Sequence, residues 1–140
     1  MSSGDEVRLV VPAKPEFLGL ARVTAGGLAS RLGFTYDQVE DLRLAIDEMC
    51  FALTGTTGRE GTLELRFRLS QEGMTVVGEG HFGNSGALTR SPLSEVILGA
   101  LVDEHSFSDG AEGPRFMLVK KQRVGKDKPG SERQGEVSGP

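Results

Sequence analysis

Glu48 is the residue whose position first suggests chemistry. It lies within residues 36–54, YDQVEDLRLAIDEMCFALT, where the spacing of apolar side chains predicts an α-helix. Those side chains recur at three- and four-residue steps: Val39, Leu42, Ile46, Met49 and Leu53. On the opposite side of the helix, Glu48 stands between Ala45 and Ala52, and a carboxylate in such a position can serve as a general base.

Other side chains with catalytic or metal-binding chemistry are few. Cys50 is the one cysteine, so the chain has no internal disulfide and no cysteine cluster for zinc. Its place beside the apolar stripe predicts a small buried side chain. His81 and His105 fall in predicted loops without a cysteine or carboxylate at ligand spacing, so we expect surface histidines and no metal site.

Length and charge exclude several classes of protein. A chain of 140 residues suits one compact domain. Its net charge of -4 argues against direct DNA binding, which depends on clustered lysine and arginine. Because no apolar run approaches 20 residues and no signal-like N-terminus is present, we expect a soluble, cytoplasmic protein without membrane contact.

The periodicity of the remaining chain predicts an α+β fold. Strands are expected at residues 6–11, 62–69, 74–77 and 115–121, with an edge near 106–107, and helices at 16–32, 36–54 and 93–102. This order predicts a two-layer sandwich, in which helices cover one face of a mixed, mostly antiparallel sheet. The glycine-rich stretch 78–92 is predicted to be a long loop. We expect disorder at residues 1–5 and 123–140, which leaves one domain at 6–122.

The first predicted helix has two distinct sides. Its core-facing stripe is expected to consist of Phe17, Leu20, Ala21, Thr24, Leu28 and Leu32. On the other side, Arg22 projects from a surface of small residues, Ala25, Gly26 and Ala29. These small residues predict either close packing against another segment of the same fold or a docking face for a partner, with Arg22 as its polar anchor.

Residues 15–53 resemble the anti-sigma-factor serine kinases of the RsbW and SpoIIAB type, a branch of the GHKL ATPase superfamily. The resemblance covers roughly residues 6–121 and implies a GHKL-like sandwich. In that family a glutamate activates water or a serine hydroxyl, and an asparagine four residues later holds Mg²⁺ on the ATP phosphates. Glu48 matches the glutamate, whereas Ala52 occupies the asparagine position.

Two further nucleotide motifs of the family are altered. The family's adenine-binding aspartate is missing from VVGEGHFGNSG, which has Gly78, Glu79 and Gly80 instead. The second glycine motif would precede the third helix, but the chain has LTRSPLSEVILGALVDE there. Weak candidates for residual nucleotide binding are therefore Glu48, Ala52, Glu79 and Gly80.

The altered motifs predict a protein that binds neither ATP nor magnesium and has no catalytic residue. Glu48 would then be a vestigial base, solvated or paired with an arginine such as Arg43 or Arg66.

The first helix retains more of the family pattern. ARVTA at 21–25 is similar to the segment from which family members present an arginine to a sigma factor and to an anti-anti-sigma protein. The resemblance therefore implies a partner-binding role for Arg22, and it also implies a homodimer built through the sheet and the first helix. Candidate partner-binding residues are Glu16, Leu18, Arg22, Ala25, Gly26 and Ala29.

These observations predict an anti-sigma factor without kinase activity. It would sequester an alternative sigma factor, in a stress response controlled by partner switching, and a STAS-domain anti-anti-sigma factor would antagonise it. Two alternatives stay open: an ATP-dependent serine kinase that phosphorylates the antagonist through an altered pocket, and a small-ligand sensor in which the remodelled pocket binds another molecule.

Overall fold

The computed structural model describes residues 4–83, 88–109 and 113–122. Within these ranges the chain forms three helices and five strands, which confirms the predicted α+β class. In chain order the elements are β1 (Glu6–Pro12), α1 (Pro15–Leu32), α2 (Tyr36–Thr54), β2 (Gly61–Ser70), β3 (Gly73–Phe82), α3 (Pro92–Leu101), β4 (Glu104–Asp109) and β5 (Pro114–Lys121). The disorder predicted at residues 1–3 and 123–140 lies outside the described residues.

The five strands form one sheet in the order β1-β2-β3-β5-β4, and every pair is antiparallel. Alternation along each strand decides which face a side chain takes. On β2, Leu63, Leu65 and Phe67 are fully buried, whereas Arg66 and Arg68 are exposed on the opposite face. The helices pack on the first of these faces, and charged side chains occupy the second.

Helix α2 supplies the largest share of the core. Thr35 begins it with a capping box, in which its hydroxyl accepts the Gln38 backbone N–H and the Gln38 side chain accepts the Thr35 N–H. The predicted apolar stripe is confirmed, because four of its members are fully buried and Val39 packs against the core: Leu42, Ile46, Met49 and Leu53. Helix α2 contacts α1, α3 and the sheet, so most of its circumference is covered.

Helix α1 packs on α2 through its small residues. Pro15 occupies the first turn, and Gly33, at φ 90°, ends the helix. The predicted core stripe is wrong at Leu20, which is 51% exposed. Ala21 is fully buried as predicted, and Ala25 and Ala29, which the sequence predicts on the other side of the helix, are fully buried as well. Close approach of two helices favours small side chains at the contact, which the apolar period alone does not reveal.

Strand β3 runs to Phe82, so the loop predicted from residue 78 is wrong for its first five residues. Gly78 pairs with Leu65 and Gly80 with Leu63, which gives the glycines a full ladder on the β2 side. Aromatic rings fill the space that side chains would take, since a Cβ at Gly78 would lie 2.2 Å from the Phe116 ring. Long-range pairing has overridden the low strand propensity of glycine.

Two further features complete the architecture. Strand β4 is longer than the edge predicted at 106–107, because it pairs with β5 along its whole length. No helix among the described residues has the length and apolarity to cross a membrane.

The burial of α2 gives a direct test of the fold. Leu42→Ala should lower the free energy of unfolding by about 2–5 kcal/mol, because Leu42 is fully buried and its truncation leaves a cavity. Leu44→Ala, two residues along the same helix, should change it by less than about 0.5 kcal/mol, since Leu44 is 54% exposed. Urea unfolding of both variants measures the difference, and equal losses would show that α2 is oriented differently.

Candidate functional site

Glu48 is half-buried on α2 and is held by α3. The Ser94 hydroxyl donates a hydrogen bond to Glu48 Oε2 at 2.5 Å, and Ser94 is buried. Ser91 positions this contact, because its Oγ accepts the Ser94 backbone N–H at 3.1 Å and caps α3. The expected pairing of Glu48 with Arg43 or Arg66 is wrong, since both arginines bind other carboxylates.

Ala52 lies one turn after Glu48 and is 1% exposed. Its methyl group offers no oxygen to Mg²⁺, which requires near-octahedral oxygen coordination. Its backbone carbonyl accepts the Thr89 N–H at 2.8 Å, so the segment before α3 crosses α2 at this point. Glu48 and Ala52, which occupy the positions of the family's glutamate and asparagine, are thus contacted by α3 and by the segment before it.

The candidate residues on β3 point to different faces of the sheet. Gly78 and Gly80 face the helices, where the rings of Phe116 and Phe82 lie against them. Glu79 faces the other way and accepts a hydrogen bond from Arg115. The structure therefore brings Glu48 and Ala52 together but places the Glu79 carboxylate on the opposite side of the sheet.

The outer face of the sheet carries a charged network centred on Glu64. Glu64 is 7% exposed, although it lies on the face that the helices leave uncovered. Burial opposes its ionisation, but hydrogen bonds from His81, Arg8 and Arg66 outweigh burial and lower the pKa of the Glu64 carboxyl. Glu64 is therefore ionised at neutral pH and holds the surrounding side chains in place.

The loop positions expected for the two histidines are wrong, since His81 lies in β3 and His105 in β4, and both are paired with carboxylates. His81 Nε2 lies 3.1 Å from Glu64 Oε1, and His105 Nε2 lies 3.0 Å from Glu95 Oε1. Neither pairing could be found by sequence spacing, because β2 and α3 supply the carboxylates from 17 and 10 residues away. A sequence prediction that continued β3 to residue 82 would have placed His81 on the strand next to β2, which carries Glu64.

One group of side chains has the donors of a metal site. Single ligand atoms of Glu64, Glu79 and His81 lie within 4.8 Å of one another. Three guanidinium groups already bind the two carboxylates, those of Arg8, Arg66 and Arg115. Because these arginines supply the compensating positive charge, we interpret the group as an ion-pair network rather than a cation site.

Cys50 is fully buried in α2, as predicted. Burial, followed by the negative charge of Asp47, raises the pKa of its thiol. The thiol therefore stays protonated at physiological pH and packs as a small apolar side chain.

The small partner-binding candidates on α1 are not at the surface. Ala25, Gly26 and Ala29 are buried, and a Cβ at Gly26 would lie 3.1 Å from Cδ of Arg43 on α2. These residues are used for packing within the fold, which is the first of the two interpretations offered by the sequence. Leu18 is partly buried against the core.

Arg22 and Glu16 remain accessible on α1. Glu16 is exposed in the first turn, whereas Arg22 is 39% exposed and turned towards α2. Arg22 Nη1 donates to both carboxylate oxygens of Asp47, at 3.1 and 3.0 Å. The predicted anchor is therefore at the surface, but it already has an intramolecular partner.

The outer surface of the helix layer is unusually apolar. All three helices carry large exposed apolar side chains, among them Leu20 and Val23 on α1, Leu44 and Phe51 on α2, and Leu93 and Val96 on α3. We call this set the helix-layer patch. Leu44 and Phe51 lie one turn before and one turn after Asp47, so the Arg22–Asp47 ion pair lies among apolar side chains. Surfaces of this composition are typical of protein interaction sites.

A polar cavity of about 480 Å³ lies where α2 leads into β2. It is lined by Lys14, Thr54, Gly55, Thr57, Gly58, Arg59 and Glu60. Neither Glu48 nor Ala52 lines it, so this cavity is separate from the position of the glutamate and asparagine motif.

Comparison with known proteins identifies the family. The chain is 30% identical over 114 residues to the serine-protein kinase RsbW of Bacillus pumilus, an alignment that covers 78% of the chain and 68% of the relative. It is 32% identical over 115 residues to the protein of the same name from Bacillus licheniformis, covering 79% and 69%. The chain belongs to the RsbW family.

The alignments to other RsbW relatives are shorter. Against RsbW of Bacillus subtilis the identity is 35% over 79 residues, which is 54% of the chain and 49% of the relative. No family model matches the chain. The resemblance inferred from residues 15–53 is nevertheless confirmed, and RsbW membership accounts for the two-layer fold and for the position of Glu48 on α2.

The Glu64 network predicts a pH-dependent stability. Because the folded-state pKa of Glu64 is lowered, its ionisation stabilises the fold above the unfolded-state pKa of about 4.3, and this contribution is lost as the pH falls through the folded-state value. At pH 7, Glu64→Gln should lower the free energy of unfolding by about 1–3 kcal/mol, and the gap to wild type should narrow at acidic pH.

Urea unfolding at a series of pH values between about 7 and 3 measures this gap. Glu104→Gln is the matched control, because Glu104 is exposed on the same face of the sheet. A gap that stays constant with pH would contradict the assignment of Glu64 as an ionised centre.

Proposed function

We propose that this chain is an anti-sigma factor that sequesters an alternative RNA polymerase sigma factor in the bacterial cytoplasm. A STAS-domain anti-anti-sigma factor would release the sigma factor by competing for the same surface. The exposed apolar side chains of the helix layer, together with the exposed Arg22, are the observation that carries the proposal, because apolar side chains with a polar anchor fit a protein partner. Membership of the RsbW family supports the class of partner.

We further propose that exchange of partners occurs without phosphoryl transfer. Three features support this step. Residue 52 offers a methyl group in place of a magnesium ligand, the Ser94 hydroxyl donates a hydrogen bond to the Glu48 carboxylate, and the Phe116 ring fills the space that a side chain at residue 78 would take. Release would then depend on relative affinity and concentration.

Competition requires one shared interface on a small domain. A specific protein complex buries about 1,600 Å² in total, or about 800 Å² on each partner. The outer surfaces of α1, α2 and α3 together offer an area of that order. The homodimer implied by the family resemblance would be built through the sheet and α1, and the outer face of the sheet, which the helices leave uncovered, is available for it.

The second candidate function is a serine kinase. RsbW relatives bear that name. Glu48 accepts a hydrogen bond from the Ser94 hydroxyl, which is the kind of contact that a general base makes with the hydroxyl it activates. This candidate requires ATP and magnesium to enter between α2 and α3, with a different ligand replacing the missing asparagine.

One experiment separates the two candidates. The purified chain is mixed with ATP, Mg²⁺ and each purified sigma factor and STAS-domain protein of its genome. Size exclusion reports complexes and any dimer, and intact mass reports a gain of about 80 Da for one phosphoryl group. We expect a stable complex with one sigma factor and one STAS protein and no gain in mass. Phosphate on the STAS protein would establish the kinase instead.

Restoring the asparagine should not restore nucleotide binding. Ala52→Asn supplies the missing oxygen, but Phe116 still covers Gly78 and Ser94 still holds Glu48. We therefore expect no heat of ATP binding by calorimetry, and a loss of about 1–3 kcal/mol in stability from the buried amide. Ala52→Ser, a smaller polar substitution at the same site, controls for the loss of stability. Magnesium-dependent ATP binding by Ala52→Asn would contradict the proposal that several nucleotide contacts are missing.

A further inference from the structure

The ion pair between Arg22 and Asp47 suggests how the partner surface is regulated. Arg22 comes from α1 and Asp47 from α2, and both side chains are more than one third exposed at 39% and 38%. A pair of this exposure contributes little to stability because solvent screens it, so either side chain can exchange partners. Stabilising the packing of α1 against α2 is therefore not the main effect of this ion pair.

The geometry of the contact leaves most of the guanidinium unused. Arg22 Nη1 donates to both oxygens of Asp47, and no other hydrogen bond of the Arg22 side chain is present in the described parts of the chain. A guanidinium binds a carboxylate best through two nitrogen atoms in parallel. Arg22 Nη2 takes no part in the two hydrogen bonds to Asp47 and lies over Gly19, one turn earlier on α1, where a Cβ would be 3.4 Å from it. A second carboxylate can thus make a better contact than Asp47 does.

We infer that Asp47 is an intramolecular competitor for the group that Arg22 binds in a partner. The partner group is a carboxylate, because Asp47 already shows that this site accepts one. On binding, the partner's carboxylate would take the two-nitrogen edge of Arg22, and its apolar side chains would cover Leu44 and Phe51. This inference rests on the proposed function, since it concerns the same surface around Arg22.

Displacement has a cost that weakens binding. In the complex, Asp47 loses its cation and lies close to a second negative charge, in an interface that excludes water. Asp47 therefore lowers the affinity for every partner that uses Arg22. Such an internal competitor keeps affinities moderate, which partner exchange without phosphorylation requires.

The substitution Asp47→Asn tests the inference. It removes the competing charge while preserving size and polarity. For the sigma factor or STAS protein that binds the wild-type chain, we expect the Kd to fall about two- to fivefold at low salt, the range available to an exposed ion pair. The association rate should rise, since one like charge is removed from the path of the partner's carboxylate. Surface plasmon resonance gives both quantities.

Glu40→Gln is the matched control. Glu40 pairs with Arg43 on the same helix at 3.1 Å, with both side chains 39% exposed, so this variant makes the same change in net charge at an equivalent ion pair. We expect its Kd to stay within about twofold of wild type. Thermal unfolding of both variants establishes that the fold is intact.

Each other outcome is decisive. If the wild-type chain binds a partner and Asp47→Asn binds it equally well or more weakly, the competitor role is wrong while the proposed function stands. An equal gain from Glu40→Gln would show a general charge effect and would also overturn the inference. If no sigma factor or STAS protein binds the wild-type chain, the proposed function fails and the inference fails with it.

Discussion

The burial of α2 between the sheet and the other two helices is the constraint on which the rest of the structure depends. Leu42, Ile46, Met49 and Leu53 are fully buried, and they fix the rotation of the helix about its axis. That rotation directs Asp47 towards α1 and Glu48 towards α3. Both contacts are consequences of one packed stripe.

Glu48, Ala52 and Gly78 are each contacted by another segment of the same chain. Ser94 binds the carboxylate that would activate a nucleophile, Thr89 binds the backbone at Ala52, and Phe116 fills the space above Gly78. These contacts come from three separate segments and are mutually consistent.

The two faces of the domain differ in how they treat charge. On the outer face of the sheet, Glu64 is buried beneath arginine side chains and forms an ion-pair network with a defined geometry. On the helix layer, the Arg22–Asp47 pair is exposed and surrounded by apolar side chains. The first setting holds its charges in fixed contacts, whereas solvent screens the exposed pair in the second, which therefore contributes little to stability.

The sequence by itself determined the α+β class, the helix at 36–54 with its buried stripe, and the family. These conclusions rest on local periodicity and on a motif around Glu48, both of which are contained in short segments. The tertiary structure alone decided that β3 continues through Gly78 and Gly80, that Leu20 is exposed, and that Glu48 binds Ser94. Each depends on a contact between distant segments: the pairing of both glycines with β2, close approach of α1 to α2, and the docking of α3. Local periodicity indicates which side of a helix or strand is apolar, but it does not indicate which neighbouring element covers that side.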